Sequence, residues 1–247
     1  MEKTGGLLLP GMEARWVETL GWRPSDRQRE MFQSLYERIL SGNRRLNLTR
    51  ITEPEEFWEK HLWDSLRGVV PWLSRGYSHL KIIDIGTGAG FPGLPIAIAI
   101  PESEVTLLDS TGKKVAFLQT IVAELGIERA FPVVGRAEAI AQMSEHRETY
   151  DLVTLRAVAA ASVCAEYSLP LLKMGGTAVL YRGQWTEVEQ KEIQRAIGQL
   201  GGVLESVEGF ETPLSGGVRH CVYLRKVEPT PDRFPRPAGV PAQKPLG

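Results

Sequence analysis

Cysteine is scarce in this chain of 247 residues, which contains only Cys164 and Cys221. The two do not form a CxxC pair, and no histidine lies at ligand spacing from either. A disulfide framework and a zinc cluster are therefore excluded by counting. We expect both cysteines to be small buried side chains, because free cysteine is among the most buried residue types. The sequence predicts no metal site.

Long apolar runs are also missing. The longest, FPGLPIAIAI from Phe91 to Ile100, has ten residues and includes two prolines, whereas a membrane span needs about 20 apolar residues. The three leucines near the N-terminus form a stretch shorter than the apolar region of a secretory signal. We expect a cytoplasmic protein that does not associate with membranes.

An excess of one charge is the third absence. The chain has 29 Lys and Arg against 30 Asp and Glu, a net charge of -1. The whole molecule therefore lacks the field of a strongly basic nucleic-acid-binding protein, and any such binding depends on a local patch. With 43% hydrophobic and 24% charged residues, the composition is that of a globular domain with a sizeable core.

The sequence of residues 1–79 predicts a helical N-terminal region. Apolar side chains recur with a helical period from Met31 to Leu40. Ser25 and Gln28 fit a capping box at the start of this helix, and Gly42 fits a stop signal after it.

A second amphipathic helix is predicted to begin near Thr52. Thr52 and Glu55 again fit a capping box, and Pro54 falls in the first turn, where its missing N–H has no cost. Five of the six tryptophans lie in the N-terminal region. Their helical spacing favours packing between helices over stacking on bases. They are Trp16, Trp22, Trp58, Trp63 and Trp72.

In residues 80–227, short apolar strands alternate with amphipathic helices, the pattern of a parallel α/β sheet. The segments VLESVEGF and VRHCVYLRKV, joined by a loop with Ser-Gly-Gly, predict a final antiparallel pair. The predicted parallel strands are Lys81–Ile85, Glu104–Asp109, Phe131–Val134, Asp151–Arg156 and Thr177–Tyr181. The longest predicted helices are Lys113–Leu125 and Thr186–Leu200.

Residues 228–247 form a proline-rich tail that we expect to lack regular structure. From Arg225 to the end, five cations face two anions, a local charge of +3. The sequence leaves two possibilities open: a flexible tail, or a segment that becomes ordered on a polyanion.

The segment KIIDIGTGAGFPG carries the clearest functional signal. A buried strand leads into Gly86, Gly88 and Gly90 and then into a helix, so backbone N–H groups can approach a ligand closely. This is the ligand-binding edge of an open parallel sheet. The spacing is GxGxG, with Phe91 where the dinucleotide fingerprint has its third glycine, which argues against NAD.

Two carboxylates accompany this loop. Asp84 precedes it, and Asp109 ends the second strand, so together they suit a ligand with an amino group and a ribose. The alternative for Asp109 is a cap for the helix that follows.

The chain resembles the class I S-adenosylmethionine-dependent methyltransferases at Asp84 to Gly90. More narrowly, it resembles the bacterial 16S rRNA guanine-N7 methyltransferase family (RsmG, also called GidB) over nearly its whole length. The motifs that carry the resemblance are Asn47-Leu48-Thr49, His61 to Leu66, DIGTGAGFPGLPIAI, Asp109 with Lys113-Lys114, Gly135 to Glu138, Arg156 to Ala159, and the closing GVPAQKPL.

The resemblance implies a fold, an activity and partners. The fold is α/β, a Rossmann-like, mostly parallel sheet with a helical N-terminal extension. The activity is transfer of a methyl group from S-adenosylmethionine to N7 of one guanosine in the 530 loop of 16S rRNA. The substrate is either 16S rRNA itself or the 30S particle, and we expect a monomer.

The resemblance also implies site residues. The cofactor-binding set is Asp84, Gly86, Gly88, Gly90, Phe91, Asp109, Ser110, Thr111, Ala137, Glu138 and Arg156. The residues that would position the substrate are Arg156, Arg182, His61 and Asp64. The RNA-binding candidates are Asn47, Thr49 and Arg182, together with three cations of the basic tail, Arg233, Arg236 and Lys244.

Several of these residues have simpler explanations. Glu138 could be a surface carboxylate at the start of a helix, and Arg156 a structural ion pair. His61 and Asp64 lie one helical turn apart and could form a surface pair. Asn47 and Thr49 could serve as caps or turn residues.

No general base stands out in the sequence, and the expected chemistry needs none. Guanine N7 has a lone pair and no proton to lose, so positioning and electrostatics suffice. Three alternative functions stay open: a small-molecule methyltransferase, a non-catalytic ribosome-assembly factor, and an oxidoreductase if Phe91 can replace glycine.

Overall fold

A seven-stranded sheet in the order β3-β2-β1-β4-β5-β7-β6 forms the centre of the computed structural model, which describes residues 7–73 and 79–246. Residues 1–6 and 74–78 of the predicted helical region, and residue 247 of the predicted tail, lie outside the described residues. The strands are β1 Lys81–Ile85, β2 Glu104–Asp109, β3 Ala130–Val134, β4 Tyr150–Arg156, β5 Leu172–Arg182, β6 Gly202–Glu211 and β7 Val218–Lys226.

The order in which strands are added to the sheet changes side at β1. The pairs β1–β2, β2–β3, β1–β4 and β4–β5 are all parallel, and β7 pairs antiparallel with β5 and β6. The chain adds β2 on one side of β1 and later adds β4 on the other, which opens a crevice at their carboxyl ends. The predicted α/β sheet and its antiparallel end are confirmed.

Helices cover both faces of the sheet and form the N-terminal region. They are α1 Glu13–Leu20, α2 Asp26–Leu46, α3 Pro54–Phe57, α4 Asp64–Arg67, α5 Val70–Leu73, α6 Gly93–Ala99, α7 Gly112–Glu124, α8 Ala137–Ile140, α9 Ala161–Ser168, α10 Glu187–Leu200 and α11 Val240–Gln243. A π-helical segment, Trp58–Trp63, joins α3 to α4. No helix in the described part of the chain is long and apolar enough to cross a membrane.

Helix α2 starts as predicted and ends later than predicted. The capping box of Ser25 and Gln28 is present, but the helix continues through Gly42 to Leu46. The stop signal at Gly42 is therefore wrong. A Cβ atom on Gly42 would lie 2.2 Å from the ring of Phe117, so this glycine allows α2 to approach α7.

The capping box predicted at Thr52 and Glu55 is also wrong. Helix α3 begins one residue later than a box at Thr52 requires, with Glu53 as N-cap, no side-chain cap and Pro54 at the first position. Proline fixes the first helical turn here without a side-chain acceptor.

The N-terminal helices form hydrogen bonds with the α/β domain as well as packing on it. Tyr181 on β5 donates its hydroxyl to the backbone oxygen of Ser65 at 2.6 Å. Gln28 on α2 donates its side-chain amide to the oxygen of Ile98 at 2.9 Å. The predicted packing of the tryptophans is confirmed: Trp16, Trp58 and Trp63 are buried, while Trp22 and Trp72 are partly buried against the same core. Cys164 and Cys221 are free and buried, as expected.

The tail is folded onto the domain, so the prediction of a flexible tail without regular structure is wrong. Phe234 is buried in the core, and α11 is a short regular element within the proline-rich segment. Arg236 forms an ion pair with the buried carboxylate of Glu166 at 2.6 Å. These contacts hold the segment against the domain and engage Arg236, whose predicted contact with RNA stays a prediction.

Replacement of Gly42 by alanine tests the contact between α2 and α7. We expect Gly42→Ala to lower the free energy of unfolding by about 1–3 kcal/mol, because the added methyl group overlaps the ring of Phe117. Denaturant unfolding measures the change. The double variant with Phe117→Leu should recover part of the loss.

Gly198 supplies the matched control. It lies on the exposed face of α10, and a Cβ atom there meets nothing within 4 Å. Gly198→Ala should therefore raise the free energy of unfolding by about 0.5–1 kcal/mol through helix propensity alone. Equal effects of the two substitutions would contradict the packing role of Gly42.

Candidate active site

Asp84 lies beneath the glycine loop. Its side chain is 0% exposed, and it accepts hydrogen bonds from the backbone of Gly93 and the hydroxyl of Thr154, each at 2.9 Å. Burial raises the pKa of Asp84 to about 6, although these two hydrogen bonds oppose the shift. Asp84 does not line the cavity beside the loop. It ties the loop to α6 on one side and to β4 on the other.

A cavity of about 370 Å³ opens at the carboxyl ends of β1, β2 and β4. Its volume is within the range of small-molecule sites. Six residues predicted to bind the cofactor line it: Gly86, Asp109, Ser110, Thr111, Ala137 and Glu138. Gly88, Gly90, Phe91 and Arg156 lie outside the lining.

Asp109 lies in the cavity wall and binds the backbone on both sides of it. Its Oδ2 accepts the N–H of Gly88 at 3.0 Å, and its Oδ1 accepts the N–H of Thr111 at 2.8 Å. Each carboxylate oxygen can accept a further hydrogen bond, and the ammonium group of Lys114 lies 3.9 Å from Oδ2. Thr111 rather than Asp109 is the N-cap residue of α7, and Asp109 supports the start of that helix by accepting the N–H of Thr111.

The wall at Gly86 admits no side chain. Gly86 has a φ of 69°, and a Cβ atom there would lie 2.8 Å from a methyl group of Val158. The glycine wall, a carboxylate with free lone pairs and the backbone at Ala137 form a donor and acceptor set that fits the adenosine part of S-adenosylmethionine.

Glu138 is a buried carboxylate. It is 3% exposed, so its reading as a surface residue is wrong. It accepts two hydrogen bonds from Arg136, at 2.7 and 3.2 Å, and one from the N–H of Gly239 at 2.9 Å. Burial raises the pKa of Glu138, but these hydrogen bonds outweigh it and leave the pKa below its ordinary value.

Arg156 joins the sheet to the N-terminal region. Its guanidinium donates to Asp64 at 3.0 Å and to the backbone oxygen of Lys60 at 2.9 Å. It also lies 5.7 Å from the centre of the Phe91 ring. The simpler explanation of Arg156, a structural ion pair, is therefore observed. The pair connects the end of β4 with α4.

His61 is neutral and held on two sides. Its ring stacks on Phe91 with centroids 4.3 Å apart, and its Nε2 lies 2.8 Å from the hydroxyl of Thr49. Burial lowers the pKa of His61 to about 3, with smaller contributions from the charges of Arg156 and Lys60. It is 8% exposed, so the surface-pair reading of His61 and Asp64 is wrong.

Asn47 and Thr49 have local structural roles. Asn47 ends α2 in the left-handed conformation, with its N–H donated to the oxygen of Asn43, which agrees with the predicted cap. The side-chain amide of Asn43 donates to the backbone oxygen of Thr49 at 2.7 Å and accepts the N–H of Thr49 at 2.9 Å. Thr49 is thereby presented to His61, and Asn47 is exposed.

Arg182 is engaged within the protein. It donates to the backbone oxygen of Ala159 at 2.9 Å and to Glu189 at 2.6 Å. These bonds hold the segment after Arg156 against the start of α10.

Sequence reasoning missed several residues of the cavity. Tyr167 on α9, Val158 after β4 and Ala242 on α11 all line it. The motif GVPAQKPL, which contains Gly239 and Ala242, was the available signal, but the proline content of the tail concealed it. Within residues 7–73 and 79–246, no group of three or more His, Cys, Asp or Glu side chains is arranged to hold a metal ion.

The pH dependence of stability tests the buried state of Asp84. Its folded pKa of about 6 exceeds the ordinary 3.8, so folding favours the protonated form. Stability should therefore be lost as the pH rises from about 4 to about 6. Relative to Asp84→Asn, the wild-type free energy of unfolding should fall by about 3 kcal/mol across this window.

Urea unfolding of both proteins at pH 4 and pH 7 measures this difference. Asp232→Asn, at an exposed carboxylate, should follow the wild-type profile. Parallel profiles for wild type and Asp84→Asn would show that the carboxyl group titrates normally.

Comparison with known proteins places the chain in a family. The family described as GidB, rRNA small subunit methyltransferase G, matches residues 28–221. The protein named Ribosomal RNA small subunit methyltransferase G of Nostoc punctiforme is 60% identical over 241 residues, which cover 97% of this chain and 99% of that protein. Its namesake in Trichormus variabilis is 59% identical over 245 residues, with the same coverage of 97% and 99%.

A solved structure shares the fold. The O-methyltransferase of Bacillus cereus in complex with SAH has a TM-score of 0.58 and 16% sequence identity, and the match covers 87% of this chain and 96% of that one. At that identity the likeness concerns the fold alone, which is that of the class I methyltransferases. By the family match and the two relatives, the chain belongs to the GidB family, rRNA small subunit methyltransferase G.

Proposed function

We propose that this protein transfers the methyl group of S-adenosylmethionine to N7 of one guanosine in the 530 loop of 16S rRNA. We further propose that it acts in the cytoplasm as a monomer, on 16S rRNA or the 30S particle. One observation carries the proposal. The cavity walled by Gly86 and Asp109 and the cluster of Phe91, His61 and Arg156 lie along the same glycine loop.

The cavity supplies the cofactor side of the site. Asp109 and Thr111 would hold the ribose, and Ala137 and Glu138 would hold the adenine ring. When bound, S-adenosylmethionine supplies a methyl group on a positively charged sulfur, which keeps the bonding electron pair as the N7 lone pair takes the methyl group.

The cluster supplies the substrate side. Methylation at N7 removes no proton and leaves a positive charge on the guanine ring, so a cation without a counter-ion beside the ring would oppose the reaction. Arg156 has Asp64 as its counter-ion, at 3.0 Å. His61 has a pKa of about 3, so at neutral pH its ring is uncharged. It can therefore act as an aromatic surface beside Phe91.

Arg156 would orient the guanine or a flanking phosphate. Asp64 and the oxygen of Lys60 bind one of its terminal nitrogens, which fixes its direction and leaves other donors of the guanidinium available. Since N7 must stay open to the methyl group, Arg156 can contact only O6 or a phosphate. Asp64 and Arg182 are positioning residues in this arrangement.

The exposed residues of the predicted RNA-binding set would contact the RNA outside the target base. Asn47, Arg233 and Lys244 lie on the surface, whereas Arg236 is paired with Glu166. Thr49 acts through His61.

A methyl-transfer assay tests the function. Labelled S-adenosylmethionine is supplied with 16S rRNA or 30S subunits from cells that lack this protein, and the modified nucleotide is mapped. We expect label at N7 of a single guanosine. Absence of label on both substrates, with cofactor binding intact, would favour a non-catalytic assembly factor, while transfer only to a small molecule would favour that second enzyme class.

Arg156→Lys tests the substrate side alone. Lysine keeps the charge but loses the planar fork. We expect kcat/KM for rRNA to fall by about 10–100-fold, the loss of one or two charged hydrogen bonds. The affinity for S-adenosylhomocysteine should stay within about twofold, because Arg156 lies outside the cavity lining.

Arg195→Lys is the matched control, on the exposed face of α10. It should leave both quantities unchanged. Loss of cofactor affinity in Arg156→Lys with unchanged turnover at saturation would assign Arg156 to the cofactor instead.

A further inference from the structure

The C-terminal segment, residues 230–243, returns to the cavity beside the glycine loop. Its helix α11 contributes Ala242 to the cavity wall. Gly239, immediately before that helix, donates its N–H to Oε1 of Glu138 at 2.9 Å. The segment therefore contacts the cavity at two positions, once as wall and once as a hydrogen-bond donor to a buried carboxylate.

Contacts outside the cavity fix this segment in place. Arg236 donates to Glu166 from its backbone N–H at 2.8 Å and from its guanidinium at 2.6 and 2.9 Å. Arg147 donates to the backbone oxygens of Phe234 and Thr230, each at 2.8 Å. Glu166 is 0% exposed, and an unpaired carboxylate in that position would be strongly unfavourable. The segment is thus a fixed part of the domain.

Gly239 constrains Glu138 in a way that Arg136 cannot. The Arg136 side chain is 49% exposed and lies two residues away on the same turn, so it can move together with Glu138. Gly239 comes from a distant part of the chain that is anchored separately through Arg236. Its N–H therefore fixes the direction of the Glu138 carboxylate relative to the cavity.

We propose that residues 230–243 are part of the cofactor site, with Ala242 as wall and Gly239 as a positioning residue that aims Glu138 at the adenosine part of S-adenosylmethionine. The inference rests on the proposed function, in which this cavity holds that cofactor. It assigns Gly239 and Ala242 of the proline-rich tail to the cofactor and leaves the exposed cations Arg233 and Lys244 as candidates for RNA contact.

A truncated chain that ends at Pro237 tests the proposal. It lacks Gly239 and Ala242 but keeps Phe234 and Arg236, so the anchor stays intact. Calorimetric titration with S-adenosylhomocysteine should show an affinity at least about tenfold lower than that of the full chain, the loss of a hydrogen bond to a charged group. Lys244→Ala removes the cation that the truncation also removes, and should leave the affinity unchanged.

A double-mutant cycle separates positioning from general loosening. In a Glu138→Ala background, the truncation should reduce the affinity by a clearly smaller factor, because the residue on which Gly239 acts is gone. Ala242→Trp retains every anchoring contact and places a bulky ring at the wall. It should also weaken binding, which gives a result even if the truncated chain fails to fold.

The outcomes distinguish the two proposals. If the full chain does not bind S-adenosylhomocysteine, the proposed function is wrong. If the full chain binds and the truncated chain or Ala242→Trp binds equally well, the inference about the tail is wrong. Independent, multiplicative effects of Glu138→Ala and the truncation would exclude positioning through Glu138. Loss of rRNA affinity with unchanged cofactor affinity would assign the tail to RNA.

Discussion

The buried carboxylate of Asp84 is the interaction on which the site depends. It accepts the N–H that starts α6 and the hydroxyl of Thr154 on β4, and so it sets the path of the loop between them. Gly93 must lack a side chain, since a Cβ atom would lie 2.9 Å from the Asp84 carboxylate. The path of this loop places Gly86 in the cavity wall and presents Phe91 to His61. Both halves of the site therefore follow from one internal contact.

The N-terminal helices complete the site as well as extending the fold. The cavity with Asp109 and Glu138 lies within the domain built on the sheet, whereas His61 and Asp64 come from the segment between Trp58 and Arg67. Part of that segment is π-helical, a geometry that is frequent at functional sites. It places His61 on Phe91 and Asp64 on Arg156. The residues proposed for the substrate side and those proposed for the cofactor side thus belong to different layers, joined by the ion pair at the end of β4.

Local signals in the sequence predicted much of this structure. Strand periodicity located β1 and β2 to the residue, the glycine spacing argued against NAD, and the family resemblance at Asp84 to Gly90 indicated the cofactor class. The errors arose where a long-range contact overrides a local rule. Gly42 is a stop signal by propensity, but in the fold it allows α2 to approach the ring of Phe117. The tail is polar and rich in proline, yet the buried Glu166 on α9 holds it through Arg236, and the pairing of such distant residues has no local signature.

The same contact revises the electrostatics of RNA binding. Of the five cations from Arg225 onward, three have carboxylate partners in the domain: Arg225 with Glu205, Lys226 with Glu148 and Arg236 with Glu166. In the described part of the chain, Arg233 and Lys244 are the two that form no such pair. Two phosphate contacts give a salt dependence with a slope of only about -1.4 to -1.8. Since the whole chain has a net charge of -1, recognition of a single guanosine must depend more on the shape of the RNA or particle than on attraction to the tail.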